Sequence, residues 1–179
     1  MDPDNKHLLF AISFAARAHK NQFRNDNETP YISHAFRVCM ILRQVFQVDD
    51  EEVLAAAVLH DTIEDTNTDF DNIDSHFNRK IAKWVSMLSK DKRLLEDERE
   101  IAYEERIRSA PVEVKLIKLA DIYDNIMDAA STFSKDLLKK SLLRSREHLQ
   151  GMKEHDDERL QRALGIVETL VDRLISEIK

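Results

Sequence analysis

Hydrophobic residues recur along the chain at the three- and four-residue spacing of amphipathic helices. This periodicity predicts helices over residues 5–22, 31–46, 49–65, 70–77, 79–89, 97–109, 112–130, 135–150 and 155–178. We expect Asp4 or Asn5 to cap the first helix, Ile101 and Ile107 to belong to the packed side of helix 97–109, and His148 to be exposed. Glycine occurs only twice and proline three times, whereas a β-rich fold needs many tight turns. The sequence therefore predicts an all-α fold whose helices are joined by short connections.

The length of 179 residues suits one domain with a hydrophobic core and is too short for two. We expect a single-domain helical bundle over residues 1–179, with a motif-bearing core at about 8–130 and packing helices at about 135–178. Helix 112–130 is apolar over a wide arc, which predicts that it is the buried central helix. The apolar stripe of helix 155–178 predicts either core packing or the seam of a homodimer.

Composition and charge exclude several classes of function. The net charge is −7 and no basic run is present, so we expect no nucleic acid polymer as a partner. Two glycines are too few for a glycine-rich phosphate loop or a dinucleotide fingerprint. The single Cys39 lies in an apolar helical stretch and fits a reducing compartment. With no signal peptide and no apolar stretch of roughly 20 residues, the sequence predicts a cytoplasmic protein without a membrane partner.

The side chains best suited to metal binding and acid–base catalysis are concentrated in the stretch 55–65, which begins as an apolar helix and ends in a cluster of ionisable residues. On a helix, His60 shares a face with Glu64, and Asp61 shares one with Asp65. In the simpler interpretation, Asp61 and Glu64 cap the helix end through the backbone, which accounts for only part of the cluster. Because ionised groups at an apolar helix end are costly without a counter-charge, the cluster favours a bound divalent cation.

Two further residues extend this cluster. Asp121 interrupts the most apolar helix of the chain, where a carboxylate must be paired or ligated. His34 lies in the first turn of helix 31–46. A lone histidine there is usually satisfied by the nearby backbone, but together with His60, Asp61 and Asp121 it completes a set of metal ligands.

The order His34, His60-Asp61, Asp121 resembles the ligand order of the HD superfamily of metal-dependent phosphohydrolases. Four longer motifs strengthen this resemblance: Ala18-His19-Lys20-Asn21-Gln22-Phe23-Arg24, Thr29-Pro30-Tyr31-Ile32-Ser33-His34, Leu59-His60-Asp61-Thr62-Ile63-Glu64-Asp65-Thr66 and Lys115-Leu116-Ile117-Lys118-Leu119-Ala120-Asp121. In the same order, they resemble the hydrolase domain of the RelA/SpoT proteins and the stand-alone small alarmone hydrolases. The resemblance covers residues 8 to about 130.

The resemblance implies an HD-type helical bundle that binds one divalent metal ion, usually Mn²⁺ in this family. The ligands that it implies are His34, His60, Asp61 and Asp121. Glu64 and Asp65 match the acidic pair that positions and deprotonates the attacking water. The implied reaction removes the 3′-pyrophosphate of guanosine tetra- or pentaphosphate and releases GDP or GTP.

The resemblance also implies contacts to this nucleotide substrate. Arg24 matches an arginine that stacks on the guanine base, although by itself it would be read as a surface loop charge. Asn125 matches a polar residue that contacts substrate one turn beyond the last ligand. The cations available for the phosphates are Lys92, Lys115, Lys118, Arg24 and Arg37.

Several residues depart from the family pattern. Ile122 and Tyr123 stand where a basic residue and leucine are usual, Met127 where arginine is usual, and Asn25 where lysine is frequent. Since phosphates need cationic partners, these changes leave open a different nucleotide or phosphorylated metabolite as substrate. A weaker alternative is a non-catalytic nucleotide-sensing module, which predicts a missing ligand where this chain has all four.

Overall fold

The computed structural model describes residues 6–153 and 155–178. Within these ranges the chain forms ten helices: α1 Lys6–Ala18, α2 Ile32–Gln44, α3 Glu51–Leu59, α4 Thr62–Asp65, α5 Phe70–His76, α6 Arg79–Leu88, α7 Glu96–Ser109, α8 Val112–Thr132, α9 Lys135–Gln150 and α10 Glu158–Glu177. The only β-type pairing in the described part of the chain is an isolated bridge between Phe23 and Pro30. The prediction of an all-α fold is confirmed.

Helix α3 lies at the centre of the bundle, where it contacts α1, α2, α6 and α8. Every residue from Val53 to Leu59 is buried, because the sequence here is apolar on all faces of the helix. The Asp50 side chain caps the N-terminus by accepting hydrogen bonds from the backbone N–H groups of Glu52 and Val53, at 2.9 and 3.2 Å. Because its last residues are buried, α3 ends in the interior of the protein.

Helix α8 is the second central element and packs against α2, α3, α6, α9 and α10. The prediction that this helix is buried is confirmed, since eleven of its side chains lie in the interior. Three of these are ionisable: Lys115, Asp121 and Asp124. One hydrophobic cluster connects α8 with residues from Leu8 on α1 to Leu174 on α10. The apolar stripe of α10 therefore contributes to the core, and its use as a dimer seam stays a prediction.

The stretch 55–65 is not one continuous helix, so that expectation was wrong. Helix α3 ends at Leu59, His60 and Asp61 form a turn, and α4 follows as a single helical turn. The Thr62 hydroxyl donates to the Leu59 carbonyl at 2.7 Å, which satisfies an acceptor that a longer helix would have used. The Asp65 N–H still donates to the Asp61 carbonyl at 2.9 Å, so these two residues remain neighbours.

Two other expectations need correction, and one falls outside the described ranges. Helix α7 is anchored by Tyr103 and Ile107, while Ile101 is exposed rather than packed. His148, expected to be exposed, has a side chain that is only 14% exposed, because α9 packs against α8. The expected N-cap of α1, Asp4 or Asn5, lies outside the described residues. Among the described residues, no helix combines the length and the apolar character needed to cross a membrane.

Because the His148 side chain is largely buried, we expect the stability of the protein to depend on pH. Burial, with help from the nearby charges of Lys118, Arg144 and Lys90 and against that of Glu100, lowers its pKa to about 4. The unfolded chain, with a histidine pKa of about 6.5, therefore binds more protons between these two values. The free energy of unfolding should fall as the pH falls through this window, with His148 contributing up to about 3 kcal/mol.

Urea unfolding of the wild type and of His148→Gln between pH 4.5 and 7.5 measures this contribution. The variant should lose stability less steeply than the wild type below pH 6.5. Parallel pH profiles for the two proteins would show that His148 titrates normally in the folded state.

Candidate metal centre

A cavity of about 180 Å³ lies where α2, the turn between α3 and α4, and α8 meet. It is lined by most of the site residues predicted from the sequence: His34, His60, Asp61, Glu64, Asp65, Lys118, Asp121 and Asn125. Arg24, Lys92 and Lys115 are not part of its lining. A larger cavity of about 360 Å³ between α7, α8 and α9 shares only Tyr103 and Lys118 with it, and contains none of the candidate ligands.

The orientation of His60 is fixed by the end of α3. Its Nδ1 lies 2.8 Å from the Ala57 carbonyl, and because a carbonyl can only accept, Nδ1 carries the proton and Nε2 the lone pair. Nε2 is buried and has no hydrogen-bond partner among the described residues. It lies 2.9 Å from Asp61 Oδ2, but not in hydrogen-bonding geometry. A buried nitrogen lone pair beside a carboxylate is a ready metal ligand.

His34 presents its Nε2 to the same point from α2. This atom lies 3.2 Å from Asp121 Oδ1 and 3.6 Å from Asp61 Oδ2. One donor atom from each of His34, His60 and Asp121 lies within 4.8 Å of the others. Two imidazole nitrogens and carboxylate oxygens that converge in a buried cavity fit a divalent metal ion, with Asp61 placed against both imidazoles.

The electrostatics of the cavity favour a cation. Burial alone would raise the pKa of Asp121, but Lys118 and the two histidines hold it well below its usual range. Burial would likewise lower the pKa of His34, yet hydrogen bonds to Asp121 and Asp124 raise it to about 9. The carboxylates thus stay ionised and attract positive charge, which a metal ion can supply in place of a proton on the imidazole.

The acidic pair on α4 borders this cavity. Glu64 Oε2 accepts from the backbone N–H of Lys90 at 2.7 Å, and burial raises the pKa of its carboxyl group. Asp65 Oδ1 accepts from Lys92 Nζ at 2.7 Å. A carboxylate with a raised pKa beside a metal site is suited to accept a proton near neutral pH.

Arg24 and Asn125, the residues predicted to contact the base and the rest of the substrate, form a chain of hydrogen bonds along α8. Asn125 Nδ2 donates to Asp121 Oδ1 at 2.6 Å, and Arg24 Nη2 donates to Asn125 Oδ1 at 3.0 Å and to Asp128 Oδ2 at 2.8 Å. The Arg24 side chain is only 11% exposed, and its guanidinium lies over the Tyr31 ring at 5.7 Å from the centroid. The structure thus connects Arg24 to the cavity through Asn125, and its contact with a base stays a prediction.

The three predicted phosphate-binding lysines occupy different environments. Lys118 Nζ forms an ion pair with Asp121 Oδ2 at 2.8 Å, which raises the lysine pKa although burial opposes the shift. Lys92 is exposed and paired with Asp65. Lys115 is buried, burial lowers its pKa, and it forms no ion pair within residues 6–153 and 155–178.

Several residues that contact the cluster were not singled out from the sequence. Tyr31 donates its hydroxyl to Asp61 Oδ2 at 2.5 Å and lies 3.3 Å from Asp65 Oδ2. Tyr31 is three residues before His34, one helical turn away, and Asp124 is three residues after Asp121. Helical spacing from a candidate ligand was therefore the signal that could have found both. Tyr103 comes from the mostly charged helix α7, and no comparable signal marks it.

The HD domain family matches residues 11–163, which is most of the chain. The chain belongs to the HD domain family. The family resemblance seen in the motifs and the HD-type helical fold are both confirmed.

This HD protein has similar relatives in animals and bacteria. It is 42% identical over 122 residues to the Danio rerio protein named guanosine-3′,5′-bis(diphosphate) 3′-pyrophosphohydrolase MESH1, covering 68% of each chain. It is 40% identical over 129 residues to the Homo sapiens protein of the same name, covering 72% of each. An Aquifex aeolicus guanosine-3′,5′-bis(diphosphate) 3′-pyrophosphohydrolase is 34% identical over 119 residues, which are 65% of this chain but only 17% of that protein.

Solved structures show the same similarity in three dimensions. A structure described as a metazoan ortholog of SpoT that hydrolyzes ppGpp matches with a TM-score of 0.80 and 26% identity, over 92% of this chain and 95% of that one. The protein lmo0812 from Listeria monocytogenes matches with a TM-score of 0.66 and 27% identity, over 81% of this chain and 97% of that one. The HD fold therefore extends over almost the whole chain.

The ligand geometry predicts that a divalent metal ion stabilises the folded HD protein. Adding Mn²⁺ to metal-stripped protein should raise the free energy of unfolding, by about 2.7 kcal/mol at a concentration 100 times the dissociation constant. The His60→Ala variant should lose most of this gain, because it removes the unpartnered Nε2. His76→Ala, which removes an exposed histidine of α5, is the control and should keep it. Urea unfolding with and without Mn²⁺ measures the effect, and an undiminished gain in His60→Ala would contradict the assigned site.

Proposed function

We propose that this HD protein is a metal-dependent phosphohydrolase that removes the 3′-pyrophosphate of guanosine tetra- or pentaphosphate and releases GDP or GTP. The observation that carries the proposal is the convergence of His34, His60 and Asp121 in one cavity bordered by Glu64 and Asp65. Animal relatives at about 40% identity have names that specify this activity. The chemistry of the cavity and the names of the relatives agree.

The ligand set proposed for the ion is His34, His60, Asp61 and Asp121. A mixed shell of nitrogen and oxygen atoms with room for water suits Mn²⁺, which we propose as the ion. When bound, the ion supplies Lewis-acid activation of the phosphate and of the attacking water.

The protein residues position the water and move its proton. Glu64 accepts the proton, since burial raises its pKa and the Lys90 N–H holds one of its oxygens. Asp65 is held by Lys92 and lies near the Tyr31 hydroxyl, so its carboxylate has a fixed direction at the cavity edge. These contacts orient the acidic pair before substrate arrives.

Substrate recognition is assigned to Arg24, Asn125 and the three lysines. Arg24 and Asn125 are hydrogen-bonded to each other, and Asn125 reaches Asp121, so the proposed base contact and the metal site are joined. Lys92 is exposed beside Asp65, where we propose that it contacts the leaving pyrophosphate. Lys118 borders the cavity, whereas the role of Lys115 rests on the family resemblance alone.

Location and assembly remain sequence-based proposals. A cytoplasmic location is supported by the single, buried Cys39, which suits a reducing compartment. The homodimer remains a prediction from the apolar stripe of α10. The core already uses most of that stripe.

A second candidate keeps the metal chemistry and changes the substrate to another nucleotide or phosphorylated metabolite. It is favoured by the pairing of the cations around the cavity. Arg24 is paired with Asp128 and Lys118 with Asp121, so a substrate with four or five phosphates finds few cations without a carboxylate partner. The non-catalytic module has no comparable support, because it predicts that one candidate metal ligand is missing and the sequence contains all four.

The deciding experiment is an assay of purified protein with Mn²⁺ and guanosine tetraphosphate that resolves GDP, pyrophosphate and orthophosphate. We expect GDP and pyrophosphate from the wild type and from Asp71→Ala, an exposed carboxylate of α5. Asp61→Ala should lose both metal binding and turnover. No turnover by a wild type that binds Mn²⁺ would rule out this substrate, and orthophosphate release from another nucleotide would establish the second candidate.

Glu64→Gln should separate metal binding from catalysis. The amide keeps a carbonyl oxygen for the Lys90 N–H but cannot accept a proton near neutral pH. We expect kcat to fall by about 10² or more while the Mn²⁺ dissociation constant stays within a few-fold. Steady-state kinetics and metal titration test this, with the exposed Glu96→Gln as the control. Normal turnover of Glu64→Gln would exclude Glu64 as the proton acceptor.

A further inference from the structure

Asp124 is a buried carboxylate on α8 that does not line the metal cavity. Its side chain is 4% exposed and is satisfied by two residues of α2. Oδ2 accepts from His34 Nδ1 at 2.7 Å and from Arg37 Nη2 at 2.9 Å, and Oδ1 accepts from Arg37 Nε at 2.6 Å. Asp124 therefore joins a candidate metal ligand to a cation outside the cavity.

This contact determines which nitrogen of His34 is available to a metal. An ionised carboxylate can only accept hydrogen bonds, so His34 Nδ1 carries the proton. Nε2 is then the nitrogen left for a metal ion, and it faces Asp61 and Asp121. His60 reaches the same state through a backbone carbonyl, whereas His34 depends on a side chain that a single substitution can change.

Arg37 fixes the carboxylate in turn. Its guanidinium binds both oxygens of Asp124, a paired geometry that restricts rotation of the carboxylate plane. It also donates to Ser33 Oγ at 3.3 Å on its own helix. The charge of Asp124 is thus paired with a cation, so its effect on a metal ion acts mainly through the direction of the His34 ring.

We propose that Asp124 is a positioning residue that, held by Arg37, fixes the tautomer and orientation in which His34 Nε2 binds the metal ion. The inference rests on the proposed metal site and adds to it two residues that do not touch the ion. Carboxylates that accept from the second nitrogen of a ligating histidine raise its basicity and hold its ring. Arg37 is consequently occupied and does not serve the phosphates of a substrate.

The test is the Mn²⁺ dissociation constant of Asp124→Asn, measured on the purified protein from the paramagnetic resonance signal of free Mn²⁺. If the amide NH₂ faces His34, it favours the tautomer with a proton on Nε2, and if it faces Arg37, two donors oppose each other. Either arrangement should weaken Mn²⁺ binding by about 10- to 100-fold. Asp128→Asn is the matched control, because it removes the same charge one turn later on α8 and does not contact His34. Its main partner is Arg24 at 2.8 Å, and it approaches Arg37 Nη2 only to 3.9 Å. This control should change the Mn²⁺ dissociation constant by less than about three-fold, since the charge that it removes does not contact a ligand of the ion and is screened.

A double-mutant cycle with His34→Ala distinguishes positioning from a general structural effect. If Asp124 acts through His34, Asp124→Asn should weaken Mn²⁺ binding no further once His34 is absent. Additive losses would overturn the inference. If Asp124→Asn does not fold, Arg37→Gln is the second variant, because the Arg37 side chain is 41% exposed and its loss is easier to tolerate. Arg37→Gln should weaken Mn²⁺ binding when His34 is present and should have no effect on it in His34→Ala.

The outcomes separate this inference from the proposed function. A wild type that does not bind Mn²⁺ would refute the metal site itself. A wild type that binds Mn²⁺ and hydrolyses guanosine tetraphosphate, with Asp124→Asn binding equally well, would refute only the positioning role.

Discussion

The repulsion between buried carboxylates is the constraint on which the rest of the structure depends. Asp61 and Asp121 come from different segments and are brought together beside two imidazoles in the interior. Lys118 supplies one positive charge and Tyr31 one hydrogen bond, which leaves one excess negative charge when both imidazoles are neutral. In an apolar bundle such an excess is stable only if a cation compensates it. A proton on an imidazole supplies this compensation, and a divalent metal ion can take its place.

The scaffold meets this requirement with two helices that cannot move independently. Helix α3 is buried on every face and delivers His60 at its end, while α8 is buried along most of its length and carries Asp121. Because interiors are close-packed, displacing either helix means repacking the core. His34 and Asp121 thus lie on packed helices, and His60 and Asp61 follow directly after the buried helix α3.

The helices and the clustering of the candidate metal ligands could be predicted from the sequence because both leave local signals. Hydrophobic periodicity marks each helix, and ionisable residues such as Asp121 are conspicuous in an apolar stretch. The break after Leu59 could not be predicted, since the hydrogen bonds of the His60 and Thr62 side chains to backbone carbonyls that accompany it leave no periodic pattern in the sequence. Neither could the bonds of Asp124 to α2, because they arise only when α2 and α8 pack together. The contacts of Arg24 with α8 are also long-range, and for that reason the substrate side of the site is less predictable than the metal side.

The pairing of the surrounding cations has a consequence for the kinetics of encounter. The chain carries a net charge of −7, and Lys90, Lys92, Arg24 and Arg37 each contact a carboxylate. A polyanion approaching this surface meets no broad positive field that would guide it from a distance. It gains affinity only at short range, where it displaces a carboxylate from a lysine or arginine and forms an ion pair with that cation. Because the net charge repels a polyanion, salt that screens this repulsion should speed its capture, and a slow encounter is balanced by selectivity for ligands that can make the exchange.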